Sequence, residues 1–185
     1  NHSAVTSNNF SGGKSVAEFF LAAGHKRIGY IGGWEGASTQ REREAGFRSA
    51  LAEVGETLAA HALGQFTVEG AKKAARQMFG ESDHPDAVFV ATDHMAFAVM
   101  DVLRGELNLH IPNDVSVVGY DDVPPASWAA YDLSTVRQRA DVMVKETVTL
   151  MIEKIRNPAS APRHIKIDSP LIVRSSAKIP EGWTS

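Results

Sequence analysis

Hydrophobic residues occur in two alternating kinds of segment along the chain. Short continuous apolar runs end at glycine or polar residues, as in RIGYIGG (27–33), DAVFVAT (86–92) and DVSVVGY (114–120). Between them, apolar residues recur every three or four positions, which predicts amphipathic helices. We expect helices at 15–24, 39–55, 67–79, 94–104 and 140–155, and further strands at 60–63, 133–136, 163–167 and 170–176.

The continuous apolar strands indicate the type of sheet. They are typical of a parallel sheet covered by helices on both faces, because both sides of each strand are then buried. The sequence therefore predicts an α/β fold with a mainly parallel sheet. In such folds ligands bind at the carboxyl ends of the strands. Polar or aromatic residues follow three of the predicted strands, at 33–34, 92–93 and 121–122.

Composition excludes several classes of protein. The 185 residues are 43% hydrophobic and carry a net charge of -3 without a basic block, which argues against a DNA-binding surface in this chain. The absence of cysteine excludes disulfides and thiolate metal sites and fits a reducing compartment. The polar N-terminus is not a signal peptide, and no apolar run is long enough to span a bilayer. We expect a cytoplasmic protein without membrane contact.

Motifs for enzymatic chemistry are missing from the sequence. It contains no G-x-S-x-G elbow, no Walker A loop and no H-E-x-x-H, and GYIGG lacks the spacing of a dinucleotide-binding loop. The seven histidines are scattered without metal-ligand spacing. Asp121 and Asp122 are adjacent, so in an extended chain their carboxylates point to opposite faces. We therefore expect no enzyme, no catalytic residues, no metal site and no cofactor.

Six segments resemble, in order and spacing, the effector-binding domain of the LacI/GalR family of bacterial transcription regulators. They are AAGHKRIGYIGG, REREAGFRSALAEVG, AVFVATDHMAFAVMDVLR, IPNDVSVVGYDDVP, LSTVRQ and LIVRSSA, and the resemblance covers residues 7–177. It implies a periplasmic binding protein-like fold of type I, in which two Rossmann-like α/β subdomains clamp a small effector, a sugar or related metabolite. It further implies a homodimer whose operator binding responds to the effector.

The resemblance also implies a division of the chain. Residues 7–136 correspond to the C-terminal subdomain, 137–160 to a helix of the N-terminal subdomain, 161–185 to a crossover and return strand, and 1–6 to a crossover remnant. The family's helix-turn-helix headpiece and the first half of its N-terminal subdomain have no counterpart here. We therefore expect operator contact only through such a headpiece, and weak or no effector binding by this chain alone. A periplasmic sugar-binding receptor of a transporter or chemotaxis system remains the alternative.

Two charged residues are the main candidates for effector contact. Asp121 matches the family position whose carboxylate accepts hydrogen bonds from effector hydroxyls; its alternative is a turn-forming aspartate before Pro124. Arg43 matches the family arginine that points into the cleft. Its alternative is a solvated helix face shared with Arg41 and Arg48.

Four further positions match effector contacts of the family. Phe66 would stack on a sugar face or a nucleobase, or else fill the core at a strand-to-helix turn. Thr92 matches a polar effector contact, and we expect Asp93 beside it to cap the following helix. Thr39 matches a position that caps its helix and sometimes touches the effector, with capping preferred. Ser7 matches a crossover position that is often acidic or an amide in relatives.

The decisive expectation concerns convergence of three of these side chains. We expect Arg43, Thr92 and Asp121 to meet on one small-molecule pocket at the edge of the sheet. Asp122 is interpreted as a turn residue or a contact between the subdomains.

Overall fold

The computed structural model describes residues 2–183 and contains five α-helices and eight strands within them. The helices are α1 (Asn9–Ala22), α2 (Ser38–Glu53), α3 (Val68–Phe79), α4 (Asp93–Gly105) and α5 (Ala140–Arg156). The strands are β1 (Ala4–Ser7), β2 (Ile28–Gly32), β3 (Ala60–Leu63), β4 (Ala87–Val90), β5 (Ser116–Asp121), β6 (Ser134–Arg137), β7 (His164–Ile167) and β8 (Leu171–Ile172). Within this part of the chain, no helix is long and apolar enough to cross a membrane.

The strands form two separate sheets. The larger sheet has the order β3-β2-β4-β5-β6-β8, with all pairs parallel except β6 with β8. The smaller sheet consists of β1 and β7, paired in parallel, and α5 packs beside it. The chain therefore passes between the sheets three times, after β1, after β6 and after β7. This architecture confirms the predicted α/β class with a mainly parallel sheet.

Helices cover both faces of the larger sheet. Helix α2 connects β2 to β3, towards one edge of the sheet, whereas α3 and α4 connect strands in the opposite direction, from β3 to β4 and from β4 to β5. Because such crossovers are right-handed, α2 lies on the face opposite α3 and α4. Helix α1 packs on α2, and α3 packs on α4. Every residue of β2 and β4 is buried, which explains why their sequences are continuously apolar.

Helices α1 and α2 touch backbone to backbone. A Cβ atom added to Gly46 would overlap the carbonyl group of Phe10, and one added to Gly13 would overlap the carbonyl group of Arg43. The two helices could not approach each other so closely if residue 13 or residue 46 carried a side chain. The two glycines therefore fix the place of Arg43 relative to α1.

The structure adds detail near the N-terminus and corrects one expectation there. Strand β1 begins at Ala4, within the segment 1–6 that is expected to be a crossover remnant; Asn1 lies outside the described residues. Helix α1 begins at Asn9, well before the predicted residue 15, and Asn8 caps it by accepting a hydrogen bond from the Ser11 amide. Helix propensity alone predicts that Gly12 and Gly13 interrupt a helix. Close packing on α2 requires Gly13, and a Cβ atom on Gly12 would overlap the side chain of Tyr120. At the other end, Thr184 and Ser185 of the predicted return segment also lie outside the described residues.

Candidate functional site

Arg43 is buried, with 4% of its surface exposed, and is held from three sides. Its Nε donates to Asn9 Oδ1 over 3.0 Å, and its Nη1 donates to the carbonyl oxygen of Ala91 over 2.6 Å. Its guanidinium carbon lies 3.6 Å from the ring centroid of Tyr120. A guanidinium group held by these contacts has little freedom to reorient. Arg43 therefore does not belong to a solvated helix face.

Asp121 lies beside this arginine at the carboxyl end of β5. Its Oδ1 is 3.6 Å from Arg43 Nη2 and accepts a hydrogen bond from Gln138 Nε2 over 2.5 Å. Burial raises the pKa of the Asp121 carboxyl, while the Arg43 charge and the Gln138 hydrogen bond act to lower it. The backbone at Asp121 has a φ of 122°, which side-chain-bearing residues rarely adopt. A carboxylate in this position can accept hydrogen bonds from ligand hydroxyls.

Ser7 joins the same cluster through Gln138. The buried Ser7 hydroxyl donates to Gln138 Oε1 over 3.1 Å. The polar side chains therefore form a continuous series, Arg43–Asp121–Gln138–Ser7, which links α2, the end of β5 and two of the connections between the sheets. Sequence reasoning did not identify Gln138, although it follows directly after β6 in the LSTVRQ segment.

Thr92 takes the capping role that was expected of Asp93. The Thr92 hydroxyl caps α4 by accepting from the Met95 amide over 3.4 Å, so the expectation that Asp93 caps this helix is wrong. Asp93 is the first helical residue and is fully buried. Its two oxygens accept from Thr135 Oγ1 over 2.6 Å and from the Val123 amide over 2.9 Å. This carboxylate thus ties α4 to β6 and to the segment after β5.

Of the three side chains expected to converge at this edge, Arg43 and Asp121 are in contact with each other. Arg43 bonds the carbonyl of Ala91, next to Thr92, and also faces Asp121. The guanidinium therefore lies between the carboxyl ends of β4 and β5. The Thr92 hydroxyl is already used as a cap, so its contact with an effector stays a prediction.

Phe66 and Thr39 lie at the surface. Phe66 is 40% exposed with a left-handed φ of 56°, and its ring packs against Gly33, where a Cβ would overlap it. It is therefore not a core phenylalanine. Thr39 is exposed, and its expected capping role is wrong, because α2 begins one residue earlier with Ala37 at the capping position and without a side-chain cap.

Asp122 has a purely structural set of contacts. Its carboxylate binds Arg137 Nε over 2.5 Å and Arg174 Nη2 over 2.7 Å. It therefore ties the end of β5 to the end of β6 and to the segment after β8. Asp121 and Asp122 therefore have separate partners.

Comparison with known proteins identifies the architecture around this cluster. Residues 17–177 match the family model described as the periplasmic binding protein-like domain. The chain belongs to this family. The match contains β2 to β6, the sheet edge that carries Arg43 and Asp121, and helix α5.

Two curated relatives of this family member are transcription regulators. The chain is 31% identical over 176 residues to the HTH-type transcriptional repressor PurR of Photobacterium profundum. It is 33% identical over 178 residues to the HTH-type transcriptional regulator CelR of Thermobifida fusca. Each alignment covers 94% of this chain but 52% of the relative. The chain thus spans about half the length of the curated relatives it matches.

A solved structure similar to this chain is also that of a transcriptional regulator. The chain superposes on a transcriptional regulator CelR–cellobiose complex with a TM-score of 0.88 and 31% identity, covering 95% of this chain and 54% of the other. These findings confirm the resemblance to the effector-binding domain of LacI-type regulators and the predicted fold.

The buried Asp93 makes stability depend on pH. Burial, the main cause, raises the pKa of Asp93 from 3.8 to about 6. The folded protein therefore binds more protons than the unfolded chain between these values, so stability falls as the pH rises through this window. Between about pH 4 and pH 7, deprotonation of Asp93 should lower the unfolding free energy of the wild type by roughly 2–3 kcal/mol. We expect the Asp93→Asn variant not to show this decrease. Asparagine can still accept from the Val123 amide and donate to the Thr135 hydroxyl.

Urea unfolding across this pH range measures the effect. The difference in unfolding free energy between the wild type and Asp93→Asn should grow with pH, whereas Asp101→Asn, an exposed change on the same helix, should follow the wild type. Parallel curves for the wild type and Asp93→Asn would contradict the assignment.

Proposed function

We propose that this chain is the effector-binding part of a LacI-type transcription regulator and that it binds a sugar. The observation that carries the proposal is the polar series Arg43–Asp121–Gln138–Ser7 at the carboxyl edge of the sheet. In the whole protein, operator DNA would be bound by a helix-turn-helix headpiece. A regulator of this type would act in the cytoplasm as a homodimer.

The chemistry of the cluster favours a neutral, hydroxyl-rich ligand. Arg43 and Asp121 lie 3.6 Å apart, so their charges offset one another and a net ionic ligand gains little. A hydroxyl can accept from the guanidinium and donate to the carboxylate, as a sugar with neighbouring hydroxyls requires. Phe66 offers an exposed ring for the apolar face of a sugar. The similar CelR structure is a complex with cellobiose, which is consistent with this ligand class.

The division into subdomains is part of the same proposal. Residues 7–136 would form one wall of the cleft, and residues 137–160 would belong to the opposite subdomain, with 161–185 crossing back. Helix α5 supports this division, because it carries a stripe of exposed apolar side chains at helical spacing: Val144, Val148, Met151, Ile152 and Ile155. The other elements of an N-terminal subdomain would cover that stripe.

Effector binding would act by shifting the orientation of the two subdomains. A ligand changes such an equilibrium only through contacts that differ between the two orientations, and the usual coupling is about 1–3 kcal/mol. The cluster lies where chain segments pass between the sheets, so ligand contacts there can differ between orientations.

A sugar titration of the 185-residue chain tests the proposal. We expect cellobiose to shift NMR signals of Arg43, Asp121 and Phe66, with a dissociation constant in the millimolar range, because one wall of the cleft supplies the contacts. Glucose provides a comparison with one sugar ring. Shifts confined to the opposite edge of the sheet would contradict the site, and submicromolar binding would contradict the need for a second wall.

The coding sequence upstream of this chain distinguishes a transcription regulator from a periplasmic receptor. A helix-turn-helix encoded upstream of Asn1 supports the regulator, whereas a signal peptide there would overturn it. The two named relatives, both HTH-type transcription regulators, support the first outcome.

A further inference from the structure

We infer that the Gln138 amide and an effector hydroxyl compete for the same hydrogen bond to the Asp121 carboxylate. Ligand binding is then transmitted through Gln138 and Ser7 to the connections between the two sheets. The inference rests on the proposed function, since it treats Asp121 as the effector-binding carboxylate. It assigns a positioning role to a residue that does not need to touch the bound sugar.

The orientation of the Gln138 carboxamide is fixed by its two partners. An ionised carboxylate only accepts hydrogen bonds, so the amide nitrogen must face Asp121 Oδ1, at 2.5 Å. The amide oxygen then faces the Ser7 hydroxyl, which donates to it over 3.1 Å. A flipped carboxamide would place two acceptors against each other at Asp121. Gln138 therefore couples the state of Asp121 to that of Ser7.

Gln138 and Ser7 lie on different connections between the sheets. Gln138 follows β6 directly and precedes α5, and Ser7 is the last residue of β1. The third connection is held at the same place by backbone hydrogen bonds: the Asn8 amide donates to Ile167 over 2.8 Å, and the Arg137 amide donates to Pro170 over 2.8 Å. A change at Asp121 can therefore reach all three connections over a short distance.

A sugar hydroxyl is chemically suited to replace the amide of Gln138. Both groups are neutral donors, so exchanging one for the other leaves the carboxylate paired and avoids the cost of an unsatisfied buried charge. An anionic group cannot make this replacement, because it would bring an acceptor to an acceptor. Once displaced, the carboxamide no longer holds the Ser7 hydroxyl in its present geometry. Binding is thereby linked to the hinge contacts, which provides the differential interaction that a population shift requires.

The variant Gln138→Leu tests the link, with Gln77→Leu as the matched control on the exposed surface of α3. Without ligand, we expect amide hydrogen exchange at Asn8 and Arg137 to become several-fold faster in Gln138→Leu and to remain unchanged in the control. With cellobiose, we expect Gln138→Leu to bind about threefold to tenfold more tightly, since the ligand no longer competes with an internal hydrogen bond. A residue with a purely structural role would not increase affinity when removed.

The outcomes separate this inference from the sugar-site proposal. Weaker cellobiose binding by Gln138→Leu would overturn the inference, because Gln138 would then be a direct sugar ligand. Exchange rates equal to those of the control would overturn the hinge link. If no variant shows a cellobiose shift, the sugar site fails, and the exchange rates at Asn8 and Arg137 alone decide whether Gln138 holds the connections together.

Discussion

Replacing Asp121 with asparagine should weaken cellobiose binding by about tenfold or more, because a hydrogen bond to a charged group contributes about 1.5–3 kcal/mol. Asparagine tolerates the left-handed backbone conformation at this position, where φ is 122°. Alanine should abolish binding, but backbone strain of about 1–3 kcal/mol would then add to the effect. The asparagine variant therefore isolates the loss of charge from a loss of stability.

Titration of the wild type, Asp121→Asn and Asp101→Asn under the same conditions checks this result. Asp101 is exposed on α4 and should be replaceable without loss of affinity. Urea unfolding of each variant establishes that the fold is intact. Equal affinity of Asp121→Asn and the wild type would remove Asp121 from the binding site.

The second large effect concerns stability. We expect Gly46→Ala to destabilise the protein by about 3 kcal/mol, since the added methyl group overlaps the backbone of α1 at Phe10 and the two helices must separate. Their separation would also displace Arg43, whose own backbone meets Gly13 across the same contact. The variant should therefore lose both stability and sugar affinity.

Chemical unfolding measures this loss, and Gly105→Ala provides the control. A Cβ added to Gly105, at the end of α4, meets no atom within 4 Å outside its own stretch of helix, so this change should alter stability by roughly 1 kcal/mol at most. If Gly46→Ala unfolds at the same urea concentration as the wild type, the close helix contact does not exist in solution.

The sequence predicts the sheet better than the ends of its helices. Buried parallel strands are recognisable because every residue in β2 and β4 must be apolar. Helix ends depend on local competition: the Thr92 hydroxyl caps α4, although aspartate, the residue type at position 93, is the better capping residue by preference. The start of α1 is not recognisable, because Gly13 serves a contact with α2 and Gly12 a contact with Tyr120, and local propensity cannot indicate either contact.

The candidate site is predictable only in part, for a related reason. Asp121 is recognisable from its place after a strand, and Arg43 from the resemblance to the LacI/GalR family. Asn9 and Gln138 have no comparable local signal. Asn9 meets Arg43, 34 positions away, and Gln138 meets Ser7, 131 positions away. The first contact follows from the packing of α1 on α2, and the second follows from the crossing of the chain between the sheets. A single sequence shows neither arrangement.

The small sheet of β1 and β7 has a consequence for how the protein opens. A pair of strands with one covering helix has little interior of its own, and isolated two-stranded units are marginally stable in water. We therefore expect β1, β7 and α5 to unfold as a unit at a lower free energy than the six-stranded body. Proteolytic cleavage under native conditions should begin in this unit and leave the larger sheet intact.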